Sequence, residues 1–284
     1  MLMFSNLWKS CHASVCQLRF LNERGTTVDS LTGFKVNNCL ITSQYAFCVE
    51  KAFKVEIVFV DSDANTITAE MRIPYAEFIN EMRIGIVNNL GHYAVFNINL
   101  PEFQSIPGLK LSARHNFTIG TSVAALSFNH GYSNLGLKTG IISSVFANKE
   151  GVRFIQYDGM LNYGNSGSPL IDPKSFEVIG ITSRRTTPSA NAYNQLMGII
   201  AGNLAELKKV EASIKLGDID PIQVLVANQN QLKQLAKIIY KHTSSGVADA
   251  VMLDSILSFF NNDAVLEKEV KQIEGKFDFY ENLS

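Results

Sequence analysis

The chain lacks the features that would mark most specialised classes. It has no run of about 20 apolar residues that could span a bilayer. Its start, "MLMFSNLWKSCHASVCQLRF", has no cleavable apolar stretch behind a basic end, so no signal peptide is expected. It lacks charge of one sign: 25 Lys and Arg stand against 26 Asp and Glu. That balance gives no electrostatic reason to expect nucleic acid or an anionic membrane as partner, and no interleaving of aromatic and basic residues stands out. No phosphate loop, zinc spacing or dinucleotide fingerprint occurs, so neither a cofactor nor a metal is expected. Cysteine is scarce, with Cys11, Cys16, Cys39 and Cys48 all in the first fifth and none in a CxxC motif. Without a signal peptide they read as free thiols in a reducing compartment, which places the expected location in the cytoplasm.

What is present is enough to fold. Hydrophobic residues make up 46% of 284 and charged ones 18%, so a sizeable core is affordable and disorder is not expected. Up to about residue 200 the pattern is one of strands. "SVCQLRFLNERGTTVDSLTGFKV" alternates, turns at Glu23-Arg24-Gly25, and alternates again. In "KVEIVFV", Val55, Ile57 and Phe59 share a face. "HYAVFNINL", "SVAALSFNHGYS", "KTGIISSVFA", "RFIQYDGML" and "FEVIGITSRR" continue the theme, which argues for a barrel or sandwich and against a parallel α/β fold. Beyond about Gly202 the spacing turns helical in "NLAELKKVEASIKL". A further helix is expected to open on Asp220 as N-cap, Pro221 and Gln223. "VADAVMLDSILSFF" and "DAVLEKEVKQIEGKF" read as two more helices.

"NYGNSGSPLID", residues 162–172, holds Ser166 among small residues. Such a run is often only a turn. It is close to G-x-S-x-G, but position 168 is serine and no helical pattern follows, so it is not an α/β-hydrolase elbow.

The flanks decide between turn and nucleophile. "TGIISSVF…RFIQYDGMLNYGNSGSPLID…FEVIGITS" resembles the trypsin-like serine peptidases of the HtrA/Deg kind. "SLTGFKV" followed by "LIT" resembles that family's first strands, "HYAVFNI" the strand bearing the triad acid, and "MGIIAGNLAELKK" the approach to the closing helix. The resemblance implies a mainly β protein, a trypsin-like double six-stranded antiparallel β-barrel over residues 1–215, and the helical spacing beyond it reads as a C-terminal α-helical extension over 216–284. It also implies that Ser166 is the nucleophile position, and that the N–H groups of Gly164 and Ser166 form the oxyanion hole. Ser168 stands where the family usually has glycine.

The same resemblance exposes what is missing. A triad serine needs a histidine base and an acid to orient it. In "LITSQYAFCVEKA" the base position falls on Tyr45 in one register and Phe47 in the other. The acid position falls on His92. A phenol with an ordinary pKa of about 10 is protonated at neutral pH, so Tyr45 is expected as an aromatic plug rather than a base. His92 is the best substitute base, although its position lies behind the family's imidazole. His115 and His130 fall in loop-like stretches, His12 and His242 far from the motifs.

Two functions follow from the resemblance. The first is a pseudopeptidase: a peptide- or protein-binding or regulatory module whose cleft takes an extended segment against "VIGITSRR". Arg184 and Arg185 there would favour acidic partners. The second is an active serine endopeptidase that uses Ser166 with a displaced base, His92, or one induced by a partner. Neither needs nucleic acid or membrane. The apolar face of "VLVANQNQLKQLAKII" would cover the barrel, or serve an oligomer or complex through the helical C-terminus.

Overall fold

The computed structural model describes residues 2–84, 92–185, 190–210, 220–242 and 246–260. The chain divides into two compact units, residues 1–185 with 246–284, and residues 186–245.

The first unit is built on two six-stranded antiparallel sheets. Helix α1 (Leu2–Cys11) leads into β1 (Val15–Leu21), β2 (Thr27–Val36), β3 (Cys39–Ser43), β4 (Lys54–Val60), β5 (Ile67–Pro74), helix α2 (Tyr75–Asn80) and β6 (Tyr93–Asn97). These strands are ordered β5-β4-β1-β2-β3-β6. The β1–β2 reversal falls at Glu23-Arg24-Gly25 as expected: the Asn22 carboxamide oxygen accepts from the N–H groups of Arg24 and Thr26, and Gly25 takes a φ of 76°.

The second sheet is a closed barrel of β7 (Ser122–Phe128), β8 (Leu135–Ala147), β9 (Arg153–Asp158), β10 (Pro169–Ile171), β11 (Val178–Arg185) and β12 (Val247–Met252), in the order β10-β11-β12-β9-β8-β7. The expected mainly β, trypsin-like double-barrel architecture is therefore present. Closure matters because it removes the unpaired edges that an open sheet exposes.

Three apolar clusters hold the two sheets. Leu18, Phe20, Val55, Ile57, Phe59, Phe78 and Phe96 fill the first. Val123, Ile142, Ile155, Leu170 and Ala250 fill the second. A third cluster draws Phe34, Ile41 and Val95 from one sheet against Phe128, Phe154, Ile171 and Val251 from the other. Because successive residues of a strand face opposite ways, β4 serves two of them: Val55, Ile57 and Phe59 point one way, Val58 and Val60 the other.

One segment departs from the expected helices. "VADAVM" is strand β12, paired with β11 through Ile181↔Val251 and with β9 through Ile155↔Ala250. Ala248, Ala250 and Met252 alternate into the core of the second sheet, while Asp249 accepts from the Gln156 carboxamide at 3.1 Å. Alanine and methionine prefer helix, but two flanking strands offer the backbone a full ladder on both sides. Only the following stretch is helical, as α5 (Asp254–Phe260 at the end of the described residues). The two compact units divide at 185/186 and 245/246, where β12 returns the chain to the barrel.

The second unit holds α3 (Ala190–Lys209) and α4 (Pro221–His242), with the rings of Tyr193 and Tyr240 stacked at 4.1 Å. The Asp220 carboxylate caps α4 as expected, accepting from Ile222 N at 2.9 Å and Gln223 N at 3.4 Å. The helix expected in "DAVLEKEVKQIEGKF" lies outside the described residues.

Candidate functional site

The Ser166 turn joins β9 to β10, and glycine is what lets it fold. Gly164 and Gly167 take φ angles of 97° and 88°, a region that L side chains rarely enter. Space forbids a side chain as well. A Cβ at Gly167 would fall 2.2 Å from Thr32 O and 2.6 Å from Ser43 N, and one at Gly164 would fall 2.5 Å from His130 N.

Both sheets grip the turn. Thr32 of β2 donates its N–H to Ser166 O at 3.0 Å and its hydroxyl to Gly164 O at 2.9 Å. The Thr32 hydroxyl also accepts from Phe128 N at 3.0 Å, and Thr42 of β3 donates to Thr32 O at 2.7 Å. From the other side, Gly167 N donates to Thr182 O at 2.7 Å and Thr182 N to Ser168 O at 2.9 Å. Asn165 is fully buried and uses its whole carboxamide. Nδ2 donates to Phe128 O and Asn129 Oδ1, while Oδ1 accepts from Asn162 N and from the Lys138 ammonium. Ser166 itself is half-buried. Among the described residues, neither Gly164 N–H nor Ser166 N–H donates to a protein acceptor, and the Ser166 hydroxyl forms no hydrogen bond.

The adjoining turn begins where Gly167 touches β3. Ser43 caps a 3-10 turn, Gln44–Phe47, its hydroxyl accepting from Tyr45 N at 3.3 Å. Tyr45 is 53% exposed, so it is not the buried plug its position suggested. Phe47 takes the packing role, tilted against Phe96 at 5.6 Å in the core of the first sheet. Register had left the two residues level, whereas the burial pattern separates them.

His92 adjoins this turn through the backbone, its carbonyl accepting from Gln44 N at 3.4 Å just before the Ser43↔Tyr93 pair. The backbone of His92 and the start of the Gln44–Phe47 turn are thus adjacent. The His92 ring sits edge-on to Phe154 of β9 at 5.3 Å, and its backbone takes a φ of 55°. The other imidazoles are engaged elsewhere. His130 meets the Ser30 hydroxyl at 3.0 Å and the Tyr163 ring at 4.8 Å; His115 bonds Asp254 at 2.9 Å; His12 bonds Trp8 O at 2.7 Å. The side chain of His242 lies outside the described residues.

Electrostatics single out one residue the sequence did not. Burial pulls the Lys138 ammonium down to about 8 from its ordinary 10.5, with no carboxylate bonded to it to offset the loss of water. Burial likewise pushes the Cys11 thiol up to about 11 and the Cys39 thiol up to about 12. All four cysteines are free, and only Cys48 is exposed. Among the described residues no group of acidic, histidine and cysteine side chains could hold a metal ion, and no helix is long and apolar enough to cross a membrane.

The sequence model of the trypsin-like peptidase domain matches residues 32–181, more than half of the chain. The chain belongs to the trypsin-like peptidase family. Within that family it is similar to probable periplasmic serine endoproteases described as DegP-like. One, from Pseudomonas fulva strain 12-X, is 30% identical over 122 residues, covering 41% of this chain and 25% of the relative. Another, from Pseudomonas putida strain GB-1, is 30% identical over 140 residues, covering 48% and 24%. The chain thus spans about a quarter of the length of these relatives. Among solved structures it is similar to Deg5, at 19% identity and a TM-score of 0.49, covering 64% of this chain and 85% of that one. The HtrA-type protease AlgW with tripeptide gives 20% identity and a TM-score of 0.49, covering 63% and 53%.

Proposed function

We propose that this trypsin-like peptidase homologue is a pseudopeptidase, which binds an extended peptide or protein segment in its cleft without hydrolysing it. One observation carries the reading. The turn that adjoins Ser166 presents Gln44, Tyr45, Ala46 and Phe47, and the serine hydroxyl has no hydrogen-bonded base among the described residues. Without a base a serine hydroxyl is a weak nucleophile. Loss of the histidine in an analogous triad lowers turnover about a million-fold, the figure known for subtilisin.

Binding has a separate basis. β10 pairs with β11 only as far as Ile181, while β11 continues to Arg185. On that edge the loop before β10 engages Thr182 alone among the described residues. The residues after it offer an edge to which an extended peptide can add as a strand, close to Ser166. Arg184 and Arg185 on this stretch favour a partner with acidic residues. The helical unit of α3 and α4 supplies a further surface for a complex or an oligomer. The free thiols support a reducing compartment such as the cytoplasm, in contrast to the periplasmic location in the relatives' names.

A second reading has one observation in its favour. The unengaged N–H groups of Gly164 and Ser166 suit an oxyanion hole, which an active endopeptidase would need. It would then use His92, or a base brought by a partner. Labelling with a fluorophosphonate separates the two. The pseudopeptidase reading expects no adduct at Ser166 within hours, with or without peptide. Rapid labelling that disappears in both Ser166→Ala and His92→Ala would establish the active enzyme instead.

A further inference from the structure

The Ser166 turn rests on a lysine that does not touch the serine. Lys138 stands on β8 opposite Ala125 of β7. Its ammonium donates to Asn165 Oδ1 at 2.5 Å, Asn129 Oδ1 at 3.1 Å and Met160 O at 3.1 Å. An ammonium has three protons and no lone pair, so three donors meet three acceptors. All three acceptors are neutral amide oxygens. Asn165 and Asn129 are themselves bonded at 3.1 Å, which makes one network of a half-buried lysine, two asparagines and the turn, with Asn165 at its buried end.

We propose that Lys138 is a positioning residue: its ammonium, by clamping the Asn165 carboxamide, holds the Gly164–Ser166 backbone with both N–H groups unengaged, and releases that arrangement when it gives up a proton. A neutral amine keeps two donors for three acceptors and loses the charge-assisted character of the bond to Asn165. Asn165 in turn fixes the turn at its start, through Asn162 N at 2.6 Å, and at its back, through Phe128 O at 2.7 Å. A loosened carboxamide therefore frees both. Burial brings the ammonium's titration down to about 8, within reach of mildly alkaline conditions.

The titratable and charged groups on the surrounding elements are Arg153, Tyr157 and Asp158 of β9, His130 and Tyr132 between β7 and β8, and Tyr163 in the turn, bonded to Asp29 of β2 at 2.5 Å. His130 is the one to separate experimentally, because its backbone N–H donates to Tyr163 O at 2.7 Å.

The test follows the turn directly in the full chain. With glycine, serine and lysine isotopically labelled, NMR follows the Gly164 and Ser166 amides and the Lys138 side chain from about pH 6 to about pH 10, where a depressed lysine titrates. The two amides should shift together, with the midpoint of Lys138 near 8. That titration should persist in His130→Gln and vanish in Lys138→Met, whose amide positions should already differ at low pH. Lys138→Arg should keep the low-pH positions throughout, since a guanidinium stays charged. Should Lys138→Met fail to fold, Asn165→Asp remains informative. A carboxylate beside the ammonium should raise the Lys138 midpoint by at least about one unit. Amides that do not move across the Lys138 midpoint, that follow His130 instead, or that are unchanged in Lys138→Met would overturn the proposal, as would an unmoved midpoint in Asn165→Asp. The inference concerns the turn whether or not the cleft cuts: amide shifts report on the turn, and fluorophosphonate labelling on the hydroxyl.

Discussion

The Ser166 turn and the Gln44–Phe47 turn meet at one junction, where Gly167 packs on Thr42 and Ser43, yet Asn165 in the first is buried and fully bonded while Tyr45 in the second is exposed. The serine turn is over-determined: two glycines at positive φ, backbone bonds to Thr32 and Thr182, and a buried carboxamide with every group satisfied. The other turn is anchored at its Ser43 cap, by Gln44 N on His92 O, by the Tyr75 hydroxyl on Ala46 O and by buried Ala46 and packed Phe47, while Tyr45 is left exposed. Over-determination keeps a backbone shape whatever chemistry passes over it. An exposed position is constrained only by what it must do. The contrast lies between a residue whose every polar group is bonded in the interior and one whose side chain is exposed.

Mutation should expose that asymmetry. The largest effect is expected from Gly167→Ala, since a Cβ there enters a strained φ and strikes Thr32 O and Ser43 N. Positive-φ strain and overpacking together should cost about 3–5 kcal/mol in chemical denaturation, and failure to fold is the extreme outcome. Asn165→Ala comes next, at about 2–4 kcal/mol, because it leaves Phe128 O without its buried donor, removes one of the three Lys138 acceptors and the acceptor of Asn162 N, and opens space where a fully buried side chain stood. Tyr45→Ala should change stability by about 0.5 kcal/mol or less in the same assay, as for most exposed positions. If Tyr45→Ala costs as much as Asn165→Ala, the comparison between the turns fails.

A pH series sharpens it from another side. The Cys11 and Cys39 thiols are raised by burial to about 11 and about 12. The folded chain therefore holds protons that the unfolded chain has released above its ordinary thiol value of about 9. Their contribution to stability is intact below that value and falls away as pH rises toward 11–12. Lys138 runs the opposite way. Its depressed value means that the folded state binds fewer protons between about 8 and 10.5, so the cost of burying its charge is relieved across that window. Denaturation of Cys11→Ala/Cys39→Ala should show a flatter decline above pH 9 than the parent, and Lys138→Met a steeper one.

Much of this was legible in the sequence where local rules and tertiary structure agree. The strand alternation of Val55, Ile57 and Phe59, the Glu23-Arg24-Gly25 turn and the Asp220 cap all sit as their local chemistry dictates. Strand β12 was not legible: Ala248, Ala250 and Met252 carry no β-branching, and only its pairing with β9 and β11 makes it a strand. Tyr45 was misjudged because register assigns a position but not its burial, and the side chain is exposed. Lys138 gave no signal, since a single lysine in a strand reads as a solvated side chain until Asn129, Met160 and Asn165 are seen around it.

The most direct test of the central claim is turnover. The purified chain, incubated with a mixture of unfolded proteins and acidic peptides, should generate new amino termini no faster than its Ser166→Ala variant, while both bind a preferred peptide equally. Hydrolysis by the parent that disappears in Ser166→Ala would show that a working base reaches this serine, and the account of a binding cleft would be wrong.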